Sequence, residues 1–137
     1  MFFWLFGKAQ GLQPLGANLI MTETNIRRDL EETCQGVVKD LEEIGKAKGE
    51  ELSEKIEKFL EGVLEIQRIQ SLVNGKWETQ DYIFLVGYGG PNIWIDGSEK
   101  AVKGSWLPEK VEISFTQLAL EGYKRIAEYL DEIYPSD

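Results

Sequence analysis

A chain of 137 residues with an ordinary apolar fraction of 42% is long enough to bury one core, so a single domain over 1–137 is expected. Its formal charge of −9 leaves Lys and Arg scattered among more numerous carboxylates, which excludes the basic stripe that direct nucleic-acid binding needs. With no histidine there is no imidazole for a serine triad or a zinc site, and the lone Cys34 permits no intrachain disulfide and fits a reducing compartment, the cytoplasm.

The opening Met1-Phe2-Phe3-Trp4-Leu5-Phe6 is strongly apolar. So short a run cannot span a bilayer, which takes about 20 residues. A secretory leader would put a cation before a longer apolar stretch, whereas Lys8 follows this one. No membrane span is expected, and residues 1–22 read as an apolar segment, either tucked against the domain or a second copy, or serving as a docking tail. Met21-Thr22-Glu23 also reads as a start, which would make residues 1–20 an upstream extension.

From Asn25 to Val73 the apolar residues recur at helical spacing, through Ile26, Leu30, Cys34, Val37, Leu41 and Ile44, then Leu52, Ile56, Phe59, Val63, Ile66 and Val73. Between the two sets, Lys46 and Lys48 suit the negative end of a finishing helix and Gly49 its cap. Glu50, Glu51 and Glu54 suit the positive end of a starting one. The pattern predicts an antiparallel helical hairpin over 23–73, each arm about 30–35 Å long at a rise of ~1.5 Å per residue. A single long helix paired across a dimer is the alternative, because glycine inside a helix costs only about 1 kcal/mol.

Asn74-Gly75 ends this region as a helix cap or a tight turn, and the period then changes to two. Tyr82 to Val86 is apolar on both faces, as a central strand would be. Asn92 to Asp96, Lys100 to Trp106 and the alternating Lys110 to Phe115 give three more strands, with Asp96-Gly97 as a hairpin turn. A last helix begins near Thr116, capped by Ser114 or Thr116, and Pro135 stops it at Tyr134. The expected architecture is α+β: an N-terminal antiparallel helical hairpin, a four-stranded antiparallel meander and a C-terminal covering helix, the last two within 78–134.

Two surfaces are candidates for function. Between the first two strands, Gly87-Tyr88-Gly89-Gly90-Pro91 packs three glycines and a proline into one turn. Val86-Gly87-Tyr88-Gly89 matches the core of a potassium-channel filter, but the chain lacks the spanning helices such a filter needs. A phosphate cradle is a second reading, although such loops lead into a helix and this one leads into Ile93-Trp94-Ile95. The third is a protein-binding corner built from Tyr88, Gly89, Gly90, Pro91 and Asn92 with Trp94 and Trp106. Trp94 stands between Ile93 and Ile95 and so points to the opposite sheet face, where Tyr88 and Trp106 can join it. Against all three stands a turn whose glycines only permit a crossover.

The other candidate surface is acidic. Glu50, Glu54, Glu57, Glu61 and Glu65 recur at spacings of three and four and share one helical face. Such a row is ordinarily a solvated face, yet regular carboxylates can also imitate a nucleic-acid backbone before a basic protein. Glu78, Asp81, Asp96 and Glu112 form no pattern that predicts acid–base work, and Cys34 lies on an apolar stripe, where a thiol is inert. No catalytic residue, metal ligand or cofactor is expected.

The order Gly89-Gly90-Pro91-Asn92-Ile93-Trp94-Ile95-Asp96, then Val102-Lys103-Gly104-Ser105-Trp106, then a terminal amphipathic helix, resembles small uncharacterised proteins encoded by viruses and plasmids. The resemblance covers residues 80–134. Leu107-Pro108-Glu109 departs from it, where a glycine-rich strand end is usual. It implies a mobile-element origin and a small interaction protein, and carries over no functional residue. The sequence thus reads as a non-enzymatic protein-binding or regulatory protein that pairs with itself as a dimer and with a protein partner. The alternatives are an acidic nucleic-acid mimic and a small-ligand or anion binder at the glycine turn.

Overall fold

Leu30, Cys34, Val37, Leu41 and Ile44 fall on one stripe of helix α1, Glu23–Lys46, and all of them are buried. The computed structural model describes residues 23–136, so the expectations for the apolar segment 1–22 lie outside the described residues. The helix ends where the lysines and glycines indicated. Arg125 Nη1 donates to the carbonyls of Ile44 at 3.0 Å and Ala47 at 2.6 Å, closing carbonyls that the end of α1 leaves open. Gly49, at φ 60°, turns the chain into α2, Glu50–Glu61.

The second arm of the expected hairpin is half the length predicted. After Gly62 the chain enters a strand, β1, Glu65–Val73, where a helix was expected to run on to Val73. Ile66, Ile69 and Val73 fit helical spacing, but Asn74 and Gly75 both take positive φ, 51° and 80°, and fold the segment back on β2, Lys76–Gly87. This is the tight-turn reading of Asn-Gly, whose twist matches a hairpin. The strands β3, Asn92–Asp96, β4, Ala101–Trp106, and β5, Glu109–Ser114, complete an antiparallel sheet in the order β1-β2-β3-β4-β5. The meander therefore has five strands, not four. The helices α1 and α2 follow each other through the turn at Gly49, as the expected hairpin has them, with the second arm shortened. Helix α1 packs along α3, Gln117–Ile133, and against β4 and β5, while α2 sets Phe59 edge-on to Phe84 of β2, ring centroids 5.7 Å apart.

All three described helices cover one face of the sheet. Ile113, Val102, Ile95 and Phe84 line up across β5, β4, β3 and β2 on that face and meet the helical stripes. Close approach depends on missing side chains. A Cβ on Gly104 would sit 2.7 Å from Cys34 Sγ and 2.8 Å from Leu30 Cδ1, and one on Gly122 would collide with the Leu41 carbonyl where α3 crosses α1. Tyr123 joins α3 to the sheet, its hydroxyl accepting from the Tyr82 N–H at 2.9 Å. Thr116 caps α3 by accepting from the Ala119 N–H at 3.1 Å.

Candidate functional site

The glycine turn is built as the left-handed backbone requires. Gly89 and Gly90 have φ of 99° and 131°, conformations that L side chains avoid, and the Gly89 N–H donates to Asn92 Oδ1 at 2.9 Å. The Gly90-Pro91 peptide is cis, Pro91 is buried, and Tyr88 stands 74% exposed at the corner. Gly90 lies against the Trp106 indole, where an added Cβ would meet Nε1 at 3.6 Å.

The structure separates the aromatic residues expected to cluster. Alternation along β4 puts Trp106 on the same face as Val102 and Gly104, and it packs against the helix-covered core. Trp94, between buried Ile93 and Ile95, points to the open face. Tyr88, Trp94 and Trp106 therefore do not form one surface. The physical reason is the strand period: Trp94 pairs with Lys103, three residues before Trp106, and an odd separation reverses the side.

What Trp94 joins instead is a strip on the open face. The register aligns Glu65, Leu85, Trp94, Lys103 and Glu112 across the five strands, with Gln67, Ile83 and Asp96 in the adjoining row. Ile83, Leu85 and Trp94 are half-buried, and among the described residues no helix packs over them. Charge frames this apolar centre. Lys103 Nζ lies 3.2 Å from Asp96 Oδ2 and 3.9 Å from Glu99 Oε1, and the bonded Asp96 carboxylate holds the lysine pKa above its ordinary value. Asp96 also accepts from the N–H groups of Ser98 and Glu99 at 3.0 and 3.1 Å, so its main task is to fix the turn. Ile83 and Leu85 are legible in the sequence as the second apolar face of Tyr82 to Val86, a pattern that by itself suggests a strand covered on both sides.

The acidic row is divided. Glu50, Glu54, Glu57 and Glu61 stand exposed on α2, whereas Glu65 belongs to β1 and to the open-face strip. Desolvation, with Glu31 adding to it, pushes the Cys34 thiol up to about 12, so it stays protonated and unreactive at neutral pH. Among the described residues no three His, Cys, Asp or Glu side chains come together to hold a metal ion, and no helix is long and apolar enough to cross a membrane. Comparison with protein-family models, with curated proteins and with solved structures returns no match to this chain.

Proposed function

We propose that this chain is a non-enzymatic protein-binding module that takes its partner on the open face of the sheet, with Trp94 as the anchor. The observation that carries the reading is the one-sided placement of the described helices. Ile83, Leu85 and Trp94 form an apolar centre that no described helix covers, bordered by Glu65, Asp96, Lys103 and Glu112. An apolar, aromatic centre inside a charged rim is the composition of a protein interface. Tyr88 stands exposed at the corner of the glycine turn that leads into β3. The resemblance to small virus- and plasmid-encoded proteins supports a mobile-element setting for such a module.

Two other readings have less support. A nucleic-acid mimic would use Glu50, Glu54, Glu57 and Glu61, but α2 is only 12 residues long and the row breaks before Glu65. An anion at the glycine turn would compete with Asn92, which already accepts from the Gly89 N–H. The test is capture of partners from a lysate of the source organism at low and high salt, with Trp94→Ala and a Glu57→Lys/Glu61→Lys double variant alongside. A partner held at high salt, lost with Trp94→Ala and kept by the double variant is the expected result. A basic partner lost only with the charge reversal would replace this reading with mimicry.

A further inference from the structure

The two edges of the sheet are guarded differently. At β5, Arg27 of α1 donates to the Lys110 carbonyl at 3.2 Å and approaches Glu109 at 3.9 Å, while Lys110 and Glu112 stand exposed. Lysines, other charges and a covering element are how sheet edges avoid unwanted pairing. The β1 edge is guarded far less: its nine residues, Glu-Ile-Gln-Arg-Ile-Gln-Ser-Leu-Val, contain no lysine, proline or glycine. Its one cation, Arg68, is engaged with the Tyr82 ring and the Tyr134 carbonyl. The one register shift leaves its extra residue, Gln80, on β2. Before Asp81, β1 is the strand that β2 pairs with among the described residues, so the two strands continue as a ribbon past the rest of the sheet. An isolated two-stranded ribbon is marginal in water. Five of the nine large apolar side chains exposed among the described residues belong to this region: Leu64, Ile66, Leu72, Val73 and Trp77.

We propose that β1 is the dimerisation strand, pairing antiparallel with β1 of a second copy about a two-fold axis at Ile69. That register alone brings all nine residues into pairs. It sets Ile66 opposite Leu72, Arg68 opposite Gln70 and Glu65 opposite Val73, so no like charges face each other. Shifting the axis to Arg68 would put two guanidinium groups in opposition. The apolar rows explain the choice of a second copy over a foreign strand. On the helix-covered face, the row Ile95, Phe84, Ile66 ends at the edge with Ile66 42% exposed, and Leu72 and Trp77 form a pair of their own on the ribbon. Pairing about Ile69 joins Ile66 of each copy to Leu72 and Trp77 of the other, making one continuous apolar row through the dimer. This inference goes beyond the open-face reading and does not depend on it.

Sedimentation equilibrium of the full chain with Gln70→Arg and Gln70→Glu tests the register. Gln70 is exposed, and neither change touches the core. The wild-type chain is expected to dimerise. Gln70→Arg, placed against Arg68 twice per dimer, is expected to raise the dissociation constant roughly tenfold, and Gln70→Glu to lower it, both effects shrinking with salt. Amide exchange over 65–73 is expected to slow as concentration rises, with 109–114 unchanged, and Trp94→Ala is expected to leave the dimer intact. A chain that stays monomeric at millimolar concentration overturns the proposal, as does a dimer indifferent to both substitutions. Concentration-independent protection of 65–73 in a monomer would also overturn it, by showing that the edge is covered from within the chain. None of these outcomes bears on partner capture through Trp94.

Discussion

The two faces of the sheet share a backbone and differ in almost every other respect. The covered face places Phe84, Ile93, Ile95 and Val102 with almost no exposed surface against α1, α2 and α3; Gly104 lets Leu30 and Cys34 of α1 approach the sheet closely, and Gly122 lets α3 approach α1. The open face carries Ile83, Leu85 and Trp94 half-buried among charges, and no described helix packs over them. Substitution is therefore expected to act on folding at one face and on recognition at the other.

The largest effect belongs to the centre of the covered face. Phe84 touches Phe59, Tyr82 and Tyr123, and Phe84→Ala is expected to lower unfolding free energy by about 3–5 kcal/mol in a urea titration. Gly122→Ala drives a methyl into the Leu41 carbonyl and is expected to cost about 1–3 kcal/mol or more by the same measurement, since neither backbone can yield without separating α1 from α3. A smaller, pH-dependent effect comes from Asp40 on α1. Burial, reinforced by Glu43, raises its pKa from 3.8 to about 6. The folded state then binds the proton more tightly than the unfolded state. The stability contributed by the protonated carboxyl is present at low pH and is lost as pH rises from about 4 through about 6. Asp40→Asn is expected to remove that downward slope, which thermal melts across pH 4–7 would record. The smallest stability change is expected for Trp94→Ala, about 1 kcal/mol or less, because the indole is half-buried and no described helix packs over it. Were Trp94→Ala to destabilise the chain as much as Phe84→Ala, the contrast between the faces would fail.

Much of the covered face is legible in the sequence alone. The stripe of α1, the break near Gly49, the strand through Phe84 and the cap at Thr116 all follow from period and punctuation, because these segments bury one face and the pattern records which. Residues 64–73 mislead for a physical reason. Ile66, Ile69 and Val73 satisfy helical spacing, and a strand at the sheet edge, exposed over most of its length, shows little of the two-residue alternation that would correct the assignment. The outward turn of Trp94 is legible from Ile93 and Ile95, while the separation of Trp106 needs the register with β3. The apolar strip beside Trp94 arises from pairing β2 with β3 and β4, contacts between distant segments that local pattern does not encode.

The division of labour between the faces is tested most directly by site-specific photocrosslinking in a lysate of the source organism. One probe replaces Ser105, which pairs with Asn92 on the open-face side, and a second replaces Glu57 on α2. The account predicts that Ser105 captures a protein partner, that adding Trp94→Ala to the same chain abolishes the product, and that Glu57 captures none. Capture from Glu57 alone, or a Ser105 product that survives Trp94→Ala, would contradict it.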